Sequence, residues 1–314
     1  MKKIKNLQEQ GNDIFLLLKN IEQKETKTKK PYLLLTLSDG DTDIKAKVWD
    51  MTKESFGIDT GDVACFYVNV GTYNNAPDYT IEKYRAVRAT DHINRSDFLA
   101  IAPVDPEKLY LKILATAKRL NNATLSSIVV GLYEENKEKI IQSSAAKSVH
   151  HNILGGLLWH TYRMINTGEK LCEVYTTANK DLLLAGIMLH DIGKIYELET
   201  DDMGNASYTA DGSLFGHLLM GIEMVDRYVM RMPHADTESI RLLKAMIAQH
   251  HGEFPGSITQ PNFLESMLLH ECDMIDAKVY QFEKIHRDNE PGSVTEQRYY
   301  ALGNVSVYTP NLTD

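Results

Sequence analysis

A change of hydrophobic period partway along the chain limits its fold more than any other feature. From Asp13 to about Arg88, short apolar runs are cut by turn residues: Lys29-Lys30-Pro31, Ser38-Asp39-Gly40-Asp41, Thr60-Gly61-Asp62 and Asn74-Asn75-Ala76-Pro77. This punctuation predicts strands at Ile14–Ile21, Tyr32–Leu37, Ile44–Trp49, Val63–Val70 and Tyr79–Val87. Five short strands suit a small closed barrel, which leaves no unpaired edge. From Glu107 to about Ile285 the apolar residues recur at three- and four-residue steps, as in Leu109, Ile113, Leu114 and Ala117, the spacing of one helix face. Strand and helix signals segregated along a chain point to separate domains, and 314 residues are enough to bury two cores. The expected fold class is multidomain β plus α. A barrel over residues 1–90 is followed by a linker over 91–108, an all-α domain over 109–285 and an extension over 286–314. The extension either packs irregularly or serves as a dimer arm, the latter implying a homo-oligomer.

The net charge of −9 argues against nucleic acid until it is divided along the chain. Residues 1–95 carry 15 Lys and Arg against 14 Asp and Glu, so the acid excess lies in the remainder, 19 against 29. A near-neutral front can keep a basic face, and an acidic rear suits either a cation site or a solvated surface. The longest apolar run, Leu182 to Leu189, is far below the roughly 20 residues that span a bilayer, so no membrane partner is expected. No apolar stretch of signal-peptide length follows Met1-Lys2-Lys3-Ile4-Lys5. Cys65, Cys172 and Cys272 are scattered and odd in number, which argues against a disulfide framework and a thiolate zinc site. A cytoplasmic location is the expectation.

Alternation in the third strand sends Ile44, Ala46 and Val48 to one side and Lys45, Lys47 and Trp49 to the other. A basic and aromatic face is what single-stranded nucleic acid needs, cations for phosphates and a flat ring for a base. Tyr32, Tyr73 and Tyr79 could extend that platform; the alternative is that Trp49 and the tyrosines fill the barrel or cap its ends. The stretch Lys30-Pro31-Tyr32-Leu33-Leu34-Leu35-Thr36-Leu37-Ser38-Asp39-Gly40, followed by Ile44-Lys45-Ala46-Lys47-Val48-Trp49-Asp50, resembles an OB-fold of the nucleic-acid-binding kind over residues 12–90. OB-folds bind oligonucleotides across strands two and three, so resemblance and alternation select the same strands.

In the helical part, His160, His190-Asp191, His217, His250-His251 and Asp273 recur at the ends of apolar segments. Any one of these histidines, seen alone, is more often a packing residue than a ligand. Together, imidazole and carboxylate suit divalent zinc, manganese, iron or nickel. Lys194 lies one helical turn beyond His190, where it either neutralises a phosphate oxygen or sits solvated on the surface. His151, ahead of Gly155-Gly156, either contacts substrate or caps the helix that carries His160.

Leu189-His190-Asp191-Ile192-Gly193-Lys194, with His160 before it and Asp273 after it, closely resembles the HD-domain phosphohydrolase superfamily. His217 and His250-His251 resemble the branch of that superfamily that binds two metal ions. The resemblance implies Asp191 as a bridging carboxylate, His160, His190 and Asp273 around one ion, and His217 and His250 around the other. His251 is then a further ligand or orients its neighbour. Two ions activate a water without any side-chain nucleophile. Over residues 12–285 the chain is similar to the YhaM family of bacterial 3′-to-5′ exoribonucleases. That likeness implies stepwise removal of nucleotides from single-stranded RNA, with DNA as a further substrate, and manganese as the favoured ion over iron, nickel, zinc or magnesium. Competing readings are a phosphohydrolase of a small nucleotide, a cyclic-dinucleotide phosphodiesterase, a di-iron oxygenase, and a non-catalytic nucleic-acid-binding protein with structural metals. The cyclic-dinucleotide reading is disfavoured because Gly252-Glu253-Phe254-Pro255-Gly256 lacks a Gly-Tyr-Pro extension.

Overall fold

The computed structural model describes residues 2–8, 11–73, 76–99, 102–145, 153–201, 206–233, 235–253 and 256–312. They divide into two compact units, one built on residues 1–101 and the other on residues 102–200 and 206–314.

The first unit is a closed barrel of β1 (Asn12–Glu25), β2 (Pro31–Ser38), β3 (Asp43–Trp49), β4 (Val63–Tyr73) and β5 (Ala76–Ala86), in the order β1-β2-β3-β5-β4. β1 is long enough to serve two partners. Its first half pairs with β4 and its second half with β2, and an irregularity between Leu18 and Asn20 lets the strand bend from one partner to the other. The sheet closes where β3 and β5 run parallel, with Ala46 opposite Tyr79. Alternation then buries Leu33, Leu35, Leu37, Ile44, Ala46, Val48, Phe66 and Val68. A short helix, α1 (Lys53–Phe56), carries Phe56 into this core. Parts of the expected linker, residues 91–108, carry structure of their own. Phe98 is buried and Arg85 pairs with Asp91, while Asp105 accepts from the Glu107 N–H and starts the next helix at Pro106.

The second unit contains α2 (Pro106–Ala117), α3 (Ala123–Glu135), α4 (Lys137–Gln142), α5 (Gly156–Val174), α6 (Lys180–Leu189), α7 (Lys194–Glu197), α8 (Ala210–Val229), α9 (Thr237–Gln249) and α10 (Leu264–Asp288). At its centre is α6, whose residues Leu182 to Leu189 are all buried. A helix that is apolar on every side has no solvent face and must be surrounded; α3, α5, α9 and α10 surround it. One departure from the all-helical expectation is the hairpin of β6 (Leu198–Thr200) and β7 (Ala206–Tyr208) between α7 and α8. Another is a break in α8 at Gly216, whose φ of 70° and ψ of 160° leave the helical region. Beyond α10 the extension folds back on itself, with Val294 paired to Tyr308 and Tyr299 to Val305.

Candidate metal centre and nucleic-acid interface

The buried helix α6 ends at Leu189, so His190, its C-cap, and Asp191 just after it are delivered into the interior rather than to the surface. His190 Nδ1 lies 2.8 Å from the Ile187 carbonyl oxygen, a contact that turns Nε2 the other way, 3.2 Å from Asp191 Oδ2. α9 repeats the device: it ends at Gln249, and His250 Nδ1 lies 3.0 Å from the Ile247 carbonyl. His250 Nε2 then sits 3.5 Å from Asp191 Oδ1, and His217 Nε2 is also 3.5 Å from that oxygen. The two oxygens of Asp191 thus face different imidazoles, His190 on one side and His217 with His250 on the other. His251 joins the second group, its Nε2 3.2 Å from that of His217 and its Nδ1 2.9 Å from the Gly256 carbonyl. On the first side His160 Nε2 is 3.3 Å from Asp273 Oδ1. All seven expected metal residues therefore meet, in three overlapping groups: Asp191, His217, His250 and His251; His160, His190 and Asp191; His190, His250 and Asp273.

His190 Nε2, His250 Nε2 and Asp191 Oδ1 are buried and make no hydrogen bond among the described residues. Leaving such atoms unpaired costs roughly 1–3 kcal/mol each, and a shared cation removes that cost. The protonation states of His250 and of the two aspartates agree. Burial pushes His250 down to about 3, which leaves the neutral imidazole that a metal requires. Burial also opposes the charge on Asp191, but Lys194 and His190 outweigh it and hold the carboxyl well below the usual range. Asp273 is depressed in the same way, with His160 overcoming its burial. His160 differs: burial works against the cation, yet Asp273 and Asp276 together raise it to about 9, so a metal has to displace a proton before that ring can ligate. The donor set fits a divalent cation.

Lys194 corrects the solvated-surface alternative. It is buried, with Nζ 2.6 Å from Asp191 Oδ2. His151 lies outside the described residues. Two participants were not anticipated. Asp276 Oδ2 is 2.7 Å from His160 Nδ1, and Glu197 Oε1 is 3.0 Å from His217 Nδ1. Their only sequence signal is position, one helical turn beyond Asp273 and Lys194 respectively.

On the barrel, Tyr32 and Trp49 are directly paired across β2 and β3, with ring centroids 5.0 Å apart. Trp49 is 46% exposed and Tyr73 66%, which sets aside the barrel-filling alternative for both. Lys47 Nζ is 5.7 Å from each of their ring centroids and 2.6 Å from Asp78 Oδ1; Lys45 is exposed beside it on the same face. Tyr79 does not join them: opposite inward-facing Ala46, it packs against the core.

A helical unit with this His and Asp constellation, following a five-stranded barrel along the chain, defines an HD-domain protein with an OB-like N-terminal unit; an HD domain family model matches residues 157–278. The full length has relatives as well. The chain is 32% identical over 304 residues to the 3′-5′ exoribonuclease YhaM of Oceanobacillus iheyensis, covering 96% of this chain and 95% of that one. It is 30% identical over 301 residues to the protein of the same name from Listeria welshimeri, covering 95% of each. The chain belongs to the YhaM exoribonuclease family. Among solved structures, the second OB-fold domain of replication protein A from Methanococcus maripaludis aligns with 27% of this chain and 93% of that domain, at 17% identity and a TM-score of 0.23. The barrel assignment rests instead on the strand order.

Proposed function

We propose that this protein is a metal-dependent 3′-5′ exoribonuclease that hydrolyses single-stranded RNA with two divalent ions, manganese being the first to test. The observation that carries the two-ion reading is the division of Asp191: one oxygen faces His190 and the other faces His217 and His250. In this reading His160, His190 and Asp273 would hold one ion and His217, His250 and His251 the other, with Asp191 serving both. When bound, such a pair lowers the pKa of a water and stabilises the leaving oxygen. Lys194 keeps Asp191 ionised and adds a positive charge beside the phosphoryl group in a water-poor site, where charge is most effective. Tyr32, Trp49 and Tyr73 supply stacking faces, while Lys45 and Lys47 supply phosphate contacts. Cys65, Cys172 and Cys272 are all free thiols, in keeping with a reducing cytoplasm. Among the described residues no helix is long and apolar enough to cross a membrane.

The test is a 5′-labelled single-stranded RNA incubated with the manganese-loaded protein. A descending ladder is expected, and Asp191→Ala should abolish it while leaving RNA binding in place. RNA that stays intact with the loaded wild type would sink the proposal.

A further inference from the structure

The five histidines of the centre are not held alike. His190, His250 and His251 each direct Nδ1 at a backbone carbonyl, of Ile187, Ile247 and Gly256. His160 and His217 instead direct Nδ1 at a carboxylate, Asp276 and Glu197. These two fall on opposite sides of Asp191, His160 grouped with His190 and His217 with His250 and His251. We infer that Asp276 and Glu197 are positioning residues, each ordering one of the two ions by fixing and enriching a single histidine. The inference rests on the two-ion reading above.

The chemistry behind it is general. A carboxylate accepting from Nδ1–H fixes the tautomer that leaves Nε2 as the donor atom, and it makes that nitrogen a stronger ligand than a neutral carbonyl does. Both carboxylates are themselves restrained. Asp276 is buried and its Oδ1 accepts from Arg163 Nε at 2.5 Å, while Arg163 also donates to Glu283 at 2.9 Å. Glu197 Oε1 takes the His217 backbone N–H at 3.1 Å as well as the ring, so one oxygen sets both the chain and the side chain of that residue. That double contact is made just past Gly216, where the helical ladder of α8 is broken and the His217 N–H needs another acceptor. Neither carboxylate belongs to any of the donor groups that surround Asp191.

The experiment titrates the metal-free, full-length protein with Mn²⁺ alone, by calorimetry and by electron paramagnetic resonance. Wild type is expected to bind two ions and, when full, to give the broadened signal of a spin-coupled pair. Glu197→Gln, which keeps the shape and an accepting oxygen, should weaken one ion about 10- to 100-fold and leave the other within twofold. Asp276→Asn should weaken the other ion. At one ion per chain each variant should show the multiplet of an isolated Mn²⁺. Unchanged isotherms in both variants, or equal weakening of both ions by each, would overturn the assignment. Should Asp276→Asn not fold, Glu197→Gln decides alone, since it must spare the ion on the Asp276 side. Asp191→Ala separates the two levels of the reading. If it keeps both ions, Asp191 does not join them and the centre read above fails; if it loses them while Glu197→Gln and Asp276→Asn bind as wild type, only the positioning assignment fails.

Discussion

Asp91 illustrates how much a single side chain can decide at the margin of a fold. Arg85, on the last barrel strand, reaches both its oxygens, at 2.7 and 3.0 Å. That hydrogen-bonded pair, helped by the Arg88 backbone N–H, lowers the Asp91 carboxyl from 3.8 to about 2. A depressed carboxyl contributes stability above its unfolded value and loses it as pH falls through the folded one. Asp91→Asn should therefore flatten the acid limb of barrel stability between pH 3.8 and about 2, read by urea melts at stepped pH. An unchanged acid limb would remove the pair from the stability of the barrel. Trp49 makes the second prediction at this scale. Alternation along β3 already placed it opposite the core side, and its 46% exposure agrees. If its ring stacks on a base, Trp49→Ala in the Asp191→Ala background should weaken RNA binding by about 1–3 kcal/mol in a filter or anisotropy assay. Equal affinity would leave the ring without that role. The residues that escaped the sequence are of another kind. Glu197 meets His217 across 20 positions and Asp276 meets His160 across 116, and no local period encodes a contact at such separations.

Among the elements, α7 and α8 show why glycine stands in the middle of the Leu189–Lys194 motif. A Cβ at Gly193 would lie 2.1 Å from the His217 carbonyl oxygen and 2.8 Å from the Gly221 nitrogen, backbone atoms with no room to swing aside. The motif thus keeps α7 against the helix that carries His217. Gly193→Ala should force the two apart at a cost of about 1–3 kcal/mol or more. The melting temperature of the helical unit should drop by several degrees and Mn²⁺ affinity should fall with it. A variant that melts and binds like wild type would mean that α8 yields freely. The strands were legible because short apolar runs are bounded by turn residues, and α6 was legible because eight consecutive residues are apolar. α1 and the β6–β7 hairpin were not. They span four and three residues per element, too short for either period to register. The break at Gly216 was hidden for the opposite reason, since the apolar stripe runs on through it.

For the whole molecule, the separation into two compact units predicts separate responses to metal. Every candidate ligand lies in the helical unit, so Mn²⁺ should stabilise that unit by mass action, about 2.7 kcal/mol at a hundred times the dissociation constant. Scanning calorimetry with manganese and then with chelator should move one transition and leave the barrel transition in place. A single transition that shifts as a whole would show the two units to be one cooperative body. Sequence alone determined the order of a β unit and an α unit, the outward face of β3 and the identity of the histidines and aspartates, because period and residue chemistry are local properties. Only the tertiary structure decided that one oxygen of Asp191 faces His190 while the other faces His217 and His250, that Lys194 is buried against that carboxylate, and that Tyr79 turns inward. Those facts depend on where helix ends and strands meet in space, which is set by how the apolar faces pack and not by any segment read on its own.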